Sequence, residues 1–178
     1  MSFARRMTDL ARTIPRASDA EGLASLRADP QVAETLGGAL TRDEAERLLN
    51  RWILIWRVEG VGPWIIRDPG SKTLVGYVGL LPTESNRRDE FELAYALLPA
   101  FWGRGLCTRM AQSALSDATA TRWPIEIVAW CLVTNAASKR VLEKLGFERD
   151  GEVTRAGMPH FTWRHPNPRA SDALPGAV

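Results

Sequence analysis

The stretch that decides the fold is Pro99-Ala100-Phe101-Trp102-Gly103-Arg104-Gly105-Leu106-Cys107-Thr108. A strand-like run over residues 91–98 leads into it. A stripe of apolar residues at helical spacing follows it, at Leu106, Met110, Ala111, Ala114, Leu115 and Ala118. The pattern predicts a strand, a turn made by two glycines, and then a helix. Glycines let main-chain N–H groups approach a ligand, and a helix start adds unpaired donors and a positive dipole end. This combination is typical of a site for a phosphate or pyrophosphate group.

Composition and charge narrow the class of protein. The chain has 178 residues, of which 45% are hydrophobic and 25% charged, which favours one globular domain with a substantial core. A net charge of +2 gives no argument for nucleic acid. Apolar runs are too short for a membrane span and the N-terminus lacks a signal peptide, so we expect neither a membrane nor secretion, and a cytoplasmic protein. The two cysteines and two histidines have no metal-ligand spacing, so we predict no metal site and no disulfide framework.

The remaining pattern predicts a mixed α/β sheet in one domain over residues 1–165, followed by a loose tail over residues 166–178. Capping boxes Ser18…Glu21 and Thr41…Glu44 are expected to open two helices, the first ending near Asp29-Pro30. Asn135 is expected to cap a later helix, and Gly146 to end it. Strands are predicted at residues 64–67, 73–80, 90–98, 125–132, 147–154 and 160–164.

Two segments resemble a known family. They are the strand and turn over residues 92–108, and Asn135-Ala136-Ala137-Ser138-Lys139-Arg140-Val141-Leu142-Glu143-Lys144-Leu145-Gly146-Phe147. Together they resemble the acetyl-CoA signature and the following helix motif of the GNAT N-acetyltransferase superfamily. The wording is closest to the RimJ/RimL-like branch, which acetylates the N-termini of ribosomal proteins. The resemblance covers roughly residues 13–164 and implies a GNAT fold, in which helices flank a mostly antiparallel sheet splayed between two strands.

The resemblance also implies a ligand and its contacts. The cosubstrate is expected to be acetyl-CoA, its pantetheine arm paired with the backbone of Tyr95, Ala96, Leu97 and Leu98. Its pyrophosphate is expected on the amides of Gly103, Arg104, Gly105, Leu106, Cys107 and Thr108, with Asn135 beside the pantetheine. The Arg104 side chain either contacts phosphate or is simply solvated. Cys107 replaces the usual Gly or Ala of the family and is expected to crowd the diphosphate slightly.

The implied reaction is acetyl transfer to a primary amine, with a protein N-terminus as the expected acceptor. A small-molecule amine, such as an amino acid or an antibiotic, and a non-catalytic acyl-CoA-binding module are the alternatives. The resemblance allows a homodimer. Backbone donors near Leu97 or Leu98 are expected to face the developing oxyanion. Strand alternation places Glu92, Ala94 and Ala96 on one face, where two small side chains are expected to leave room for a substrate.

Amine acetylation needs proton acceptors and donors, because the amine is protonated at neutral pH and only the free base attacks a thioester. The resemblance implies Glu92 as the base, acting through water. The alternatives are a surface carboxylate on a strand or one that only orients the amine. Glu90 shares the face of Glu92 and is the rival, expected nearer to solvent. Leu142 occupies the position where many GNAT enzymes carry an acidic tyrosine, so the common acid is absent. The resemblance to the RimL-like branch implies Ser138 as the substitute acid, or else a hydroxyl that binds the coenzyme or the helix end. We interpret Cys131 as a buried structural cysteine and Trp52 as core or rim, and assign Trp130 no function.

Overall fold

A seven-stranded sheet organises the part of the chain that the computed structural model describes, which is residues 10–85, 90–121 and 125–166. The strands are β1 (Ala11–Thr13), β2 (Pro63–Arg67), β3 (Leu74–Pro82), β4 (Glu90–Leu97), β5 (Glu126–Leu132), β6 (Glu148–Arg155) and β7 (Met158–Arg164). The helices are α1 (Ala20–Ala28), α2 (Pro30–Thr35), α3 (Arg42–Glu59), α4 (Leu106–Thr121) and α5 (Ala136–Lys144). Short 3₁₀ turns occupy Ala17–Asp19 and Pro99–Phe101.

The order of strands across the sheet is β1-β2-β3-β4-β5-β7-β6, and every neighbouring pair is antiparallel except β4 with β5. The parallel pairing of β4 with β5 runs only from Glu90–Glu126 to Glu92–Val128. The pairing of β4 with β3 continues much further, as far as Leu97–Gly76. Strand β4 therefore leaves β5 after three residues, and the sheet opens between them. This confirms the expected mixed, mostly antiparallel and splayed sheet.

The two faces of the sheet carry separate cores. Helices α4 and α5 cover one face, and their Leu106, Leu115 and Leu142 are buried with Phe91 and Leu93 of β4. Helices α1 to α3 cover the other face. Its buried cluster includes the following side chains of α1, α3 and β4: Leu23, Leu26, Leu49, Trp52 and Ala96. Ala94 packs against that second cluster. Ala96 is therefore covered by the helices, whereas Ala94 is only half-buried, and the expectation that this face leaves room for a substrate stays a prediction.

Helix starts follow side-chain caps. The predicted capping box at Thr41 is confirmed, because the Glu44 N–H donates to Thr41 Oγ1 at 3.3 Å and the Thr41 N–H to Glu44 Oε2 at 2.7 Å. The predicted box at Ser18 is wrong. Asp19, one residue later, instead accepts the Arg16 N–H at 2.9 Å and forms a buried ion pair with Arg67.

The sequence reading missed helix α2 and strand β1. Pro30 looked like a helix stop, but it occupies the first turn of α2, where a proline needs no N–H partner. Asp29 caps this helix by accepting N–H groups of Gln31 and Val32 at 3.0 and 3.2 Å. Strand β1 is only three residues long and pairs at the sheet edge with β2, so periodicity could not indicate it.

Some sequence predictions fall outside the described residues. Those residues omit positions 1–9 and 167–178, so the boundaries of the domain and its tail remain predictions. Within residues 10–85, 90–121 and 125–166, no helix combines the length and apolar character needed to cross a bilayer.

Gly76 sets the close approach of β3 to β4. A Cβ at this position would lie 2.3 Å from the Ala96 carbonyl oxygen and 3.0 Å from the Leu97 Cα, both backbone atoms that cannot swing away. We expect Gly76→Ala to lower the free energy of unfolding by about 1–3 kcal/mol, the usual cost of overpacking. Urea denaturation measures this change in the free energy of unfolding. Gly70→Ala is the control, because its Cβ would meet only a side-chain oxygen of Asp68 at 3.2 Å. Equal stability of the two variants would contradict the proposed strand contact.

Candidate active site

Backbone groups of β4 face the opening between β4 and β5, which we call the split. The Leu98 N–H donates to Val75 O at 2.9 Å, and the Thr83 N–H donates to Glu90 O at 3.1 Å. Even-numbered residues of this strand therefore direct their backbone groups to β3, and the odd-numbered ones direct theirs to β5. Tyr95 and Leu97 lie beyond the last β4–β5 pair, so their N–H groups face the split.

This alternation corrects the expected set of backbone contacts. Ala96 and Leu98 direct their backbone groups into the pairing with β3, so neither is placed to bind a ligand in the split. Because the Leu98 N–H donates to Val75 O, it is not free to stabilise an oxyanion. The Leu97 N–H is then the remaining candidate of the two expected donors. The Leu97 carbonyl is also occupied, since the Trp102 indole N–H donates to it at 2.7 Å. The groups directed into the split are the Tyr95 N–H and C=O and the Leu97 N–H.

The glycine turn lies at the end of the split. Gly103 and Gly105 have φ angles of +73° and +67°, a region that other residues rarely adopt. No atom lies within 4 Å of a Cβ built on Gly103, and only Arg109 Nη1, at 3.6 Å, approaches one on Gly105. The turn is exposed, and α4 begins at Leu106, so the amides at residues 106–108 have no partner within the helix. The turn therefore has the open backbone that an anion site requires.

Side chains of the turn divide between the core and solvent. Cys107 packs against the core under α4 and α5, and burial raises the pKa of its thiol to about 12. The expectation that Cys107 crowds the open side of the turn is therefore wrong. Leu106 is buried and Thr108 half-buried, whereas Arg104 is exposed. The Arg104 carbonyl accepts from Arg109 Nη1 at 3.3 Å, and the function of its side chain stays a prediction.

A hydrogen bond joins β4 to α5 across the split. Asn135 caps α5, its Oδ1 accepting the Ser138 N–H at 2.9 Å. The Ser138 hydroxyl shares a 2.9 Å hydrogen bond with the Tyr95 hydroxyl, which also lies 3.3 Å from the Ser138 carbonyl. Burial raises the pKa of Tyr95, so its phenol stays neutral. The structure thus brings together Tyr95, Ser138 and Asn135. Sequence reasoning used only the backbone of Tyr95 and missed its hydroxyl.

Two neighbouring residues are structural. Leu142, which occupies the position where many GNAT enzymes carry a tyrosine, is fully buried in the core. Cys131 is buried, and the Trp163 indole N–H donates to its sulfur at 3.2 Å, in agreement with the interpretation as a structural cysteine. Neither residue therefore supplies an acid to the split.

A pocket of about 450 Å³ opens on the face covered by α1 to α3, and Glu92 lies in its wall. The other lining residues are Leu48, Arg51, Trp52, Leu81, Pro82, Thr83, Glu84, Ser85, Glu90, Trp130 and Arg155. We call this the Glu92 pocket. The Arg155 guanidinium stacks on Trp130, 3.9 Å from the ring centroid, and its Nη2 lies 4.0 Å from Glu92 Oε2. The pocket therefore joins a carboxylate to an aromatic wall and two arginines.

The two carboxylates on this face differ in environment. Burial raises the pKa of Glu92, and the positive charges of Arg155 and Arg51 offset part of that rise. Glu90 is more buried than Glu92, with 10% of its side chain exposed against 26%. Its carboxylate accepts from Thr83 Oγ1 at 2.9 Å and lies 3.7 Å from Arg164 Nη1. The expectation that Glu90 lies nearer to solvent is wrong, and its carboxylate already has partners.

One missed residue was readable from the sequence. Ile127, Ala129 and Cys131 belong to the core under α4 and α5, so Trp130 faces the opposite side by strand alternation. The pairing of Glu92 with Val128 then places Trp130 two residues beyond Glu92 on the same face. No local signal indicates Arg155, because β6 reaches this position only through the order β5-β7-β6.

No group of three or more His, Cys, Asp and Glu side chains in residues 10–85, 90–121 and 125–166 is arranged to hold an ion. The site therefore has three described parts: the split, the exposed glycine turn and the Glu92 pocket.

Known proteins resemble this chain, one in sequence and two in fold. YkkB of Bacillus subtilis (strain 168) is 26% identical over 131 residues, which is 74% of this chain and 76% of that protein. The ribosomal-protein-S5-alanine acetyltransferase of Vibrio fischeri superposes with a TM-score of 0.75 at 18% identity, over 88% of this chain and 92% of that one. Aminoglycoside acetyltransferase AAC(6')-Ib, solved with coenzyme A, superposes with a TM-score of 0.72 at 19% identity. The superposition covers 93% of this chain and 98% of that one.

A family model connects the sequence with this fold. The model described as an acetyltransferase (GNAT) domain matches residues 10–148. That match includes the split, the glycine turn and most of the elements around the Glu92 pocket. The protein therefore belongs to the GNAT acetyltransferase family.

Proposed function

We propose that this protein transfers the acetyl group of acetyl-CoA directly to a primary amine, and that the amine is the N-terminus of a protein. The observation that carries the proposal is the position of the split. It begins after the Glu92–Val128 pair, next to Glu92 and Trp130 in the wall of the Glu92 pocket, and the strand that borders it leads on to the exposed glycine turn. A coenzyme on the turn can thus extend its pantetheine arm toward a carboxylate.

The residues present fit acetyl-CoA. The arm contains amide groups, and the Tyr95 N–H and C=O and the Leu97 N–H would pair with them as a neighbouring strand does. The open backbone of Gly103 and Gly105 and the amides that begin α4 would hold the pyrophosphate. AAC(6')-Ib, a protein of the same fold, was solved with coenzyme A, which supports this ligand.

The chemistry requires one net proton release. The amine nitrogen bonds to the thioester carbonyl carbon, the carbon–sulfur bond breaks, and the ammonium yields two protons while the leaving thiolate takes one. Glu92 is the proposed base, acting directly or through water. Ser138, hydrogen-bonded to Tyr95, is the proposed donor toward the thiolate. The Leu97 N–H would stabilise negative charge on the carbonyl oxygen.

A protein N-terminus fits these groups because its pKa, about 8, lies below that of a lysine-like amine, so a carboxylate base suffices. The Glu92 pocket is open at the surface, and the ribosomal-protein acetyltransferase of Vibrio fischeri has the same fold. A small-molecule amine is the second candidate, since a 450 Å³ pocket also admits a compact acceptor. The position of Glu92 in that pocket argues against a non-catalytic acyl-CoA-binding module.

Thiol release tests the proposal. The protein is incubated with acetyl-CoA and a panel of peptides, amino acids and aminoglycosides, and free thiol and acetylated product are both measured. Amine-dependent thiol release with N-acetylated peptide is the expected result. Binding of acetyl-CoA without amine-dependent release from any acceptor would favour the binding module instead.

Gly105 tests the position of the pyrophosphate. We expect Gly105→Trp to weaken acetyl-CoA binding by more than about tenfold, or about 1.4 kcal/mol, because the side chain covers the open backbone. Calorimetry measures the affinity. Gly60→Trp is the matched control, because Gly60 has a φ of +70° and equally open surroundings but ends α3. In both variants a tryptophan must adopt the left-handed backbone conformation, which lowers the free energy of unfolding by about 1–2 kcal/mol. Unchanged affinity in Gly105→Trp refutes this placement.

Glu92 tests the base. Burial raises its pKa, so the active carboxylate form is lost as pH falls through that raised value, and wild-type kcat/KM should fall with it. We expect Glu92→Gln to lower turnover about 100-fold at pH 7. The loss should be much smaller at pH 9, where an α-amine with a pKa of about 8 is already free.

Glu90→Gln is the control for this pH effect. It changes the same residue type on the same strand face, but its carboxylate contacts Thr83 and Arg164. It should alter stability without changing the ratio of activities at pH 7 and pH 9. An equal loss at both pH values in Glu92→Gln would count against the base.

A further inference from the structure

Two arginines of the Glu92 pocket are not used by the chemistry above. Arg51 comes from α3 and Arg155 from β6, and both line the same pocket as Glu92. Guanidinium groups at the entrance of an amine site are unexpected, because they repel the ammonium that must enter. Their presence raises the question of which kind of acceptor the two arginines accommodate.

The Arg155 guanidinium is held in place but keeps hydrogen-bond donors available for a ligand. One face of its guanidinium lies against Trp130 at 3.9 Å from the ring centroid, which fixes the plane of the group. Its Nη2 lies 4.0 Å from Glu92 Oε2, longer than a hydrogen bond, and 44% of the side chain is exposed. A guanidinium has five N–H donors in its plane. Several donors of Arg155 therefore remain for an incoming anion.

Arg51 is the second cation. Its side chain is exposed, and it forms no ion pair with any carboxylate in residues 10–85, 90–121 and 125–166. Its positive charge nevertheless acts on Glu92, lowering the pKa of that carboxyl against the larger effect of burial. Arg51 and Arg155 thus reach the same part of the pocket from two different elements.

The local charges leave an anion site beside the amine site. The Glu90 carboxylate is already engaged by Thr83 and Arg164. Among the described residues that line the pocket, Glu84 and Glu92 then balance Arg51 and Arg155, and an arriving ammonium leaves one positive charge in excess. A carboxylate on the same acceptor restores the balance and can accept charge-assisted hydrogen bonds from a guanidinium.

We propose that the acceptor carries a carboxylate a few bonds from its primary amine, with Glu92 receiving the amine and Arg51 and Arg155 receiving the carboxylate. This inference rests on the proposed acetyl transfer and narrows its acceptor. The chemistry has two sources, an acidic residue next to a protein N-terminus or a free amino acid. Polycationic amines are poor acceptors, because they bring further positive charge to the two guanidiniums.

Matched acceptors test the inference on the full chain. The peptide arm compares hexapeptides that differ only in Asp or Asn at the second residue. The amino-acid arm compares alanine with alaninamide, with each kcat/KM expressed per free amine because the two amines differ in pKa, and spermidine serves as the polycation. We expect kcat/KM to favour the acidic member of a pair by roughly tenfold or more, the usual effect of a hydrogen bond to a charged group. The arm that shows the preference identifies the source.

Variants separate charge recognition from damage to the site. Arg51→Gln and Arg155→Gln should each bring the acid-to-amide ratio toward one, and Arg51→Glu should invert it in favour of the amide and of spermidine. A purely structural loss would lower both members of a pair equally. Arg57→Gln is the control, because Arg57 is an exposed arginine of the same helix that does not line the pocket. It should keep the wild-type ratio.

The outcomes distinguish a failure of this inference from a failure of the proposed acetyl transfer on which it rests. If no amine is acetylated although acetyl-CoA binds, both the proposed function and the inference are overturned. If amines are acetylated but acid and amide are used equally, or spermidine is preferred, the inference fails and the acetyltransferase stands. An acid preference that survives all three substitutions of Arg51 and Arg155 also overturns it, since other groups must then hold the carboxylate.

Discussion

The site depends on the early parting of β4 from β5. Their parallel pairing ends at Glu92–Val128, while β3 keeps β4 in register as far as Leu97. A strand that is paired on one side alone retains ordered donors and acceptors on the other, at fixed spacing and without a competing partner. In this protein those groups belong to Tyr95 and Leu97. After β4 the chain passes through the 3₁₀ turn Pro99–Phe101 into the glycine turn, so only a short segment separates the two backbone surfaces.

Several contacts preserve this open edge. The absence of a side chain at Gly76 lets β3 approach the backbone of Ala96, and the Leu98 N–H extends the pairing to Val75. The Trp102 indole occupies the Leu97 carbonyl, which would otherwise be a further unpaired acceptor. On the far side, the hydrogen bond between Tyr95 and Ser138 connects β4 with α5. These contacts hold the strand in place while the Tyr95 N–H and C=O and the Leu97 N–H stay available.

Strand alternation separates two tasks across the sheet. Odd-numbered residues of β4 pack under α4 and α5, and Tyr95 reaches α5 from that face. Even-numbered residues face α1 to α3, where Glu92 enters the pocket. Because α3 and β6 supply Arg51 and Arg155, the pocket is built by elements outside the motif that holds the coenzyme in our proposal. Its charge can therefore vary without altering the split.

Much of the fold was predictable because its signals are local. The helical stripe after Gly105, the capping box at Thr41 and the cap at Asn135 all depend on neighbouring residues. Strand β1 and helix α2 were missed because one is too short for periodicity and the other begins with a proline. For the candidate site, the family resemblance indicated Glu92, and the pattern of strand, glycines and helix indicated the turn. Neither could indicate that Ala96 and Leu98 face β3, that Cys107 packs inward, or that Arg155 meets Glu92, since each depends on pairing between distant segments.

The most direct test of the split is amide hydrogen exchange, measured residue by residue by NMR, with and without coenzyme A. If the arm pairs with the open edge of β4, exchange at Tyr95 and Leu97 slows strongly when the coenzyme is added, together with the amides of residues 103–108. Ala96 and Leu98, which already face β3, change little. Unchanged exchange at Tyr95 and Leu97 in the coenzyme-saturated protein, or equal slowing along the whole strand, would contradict the account.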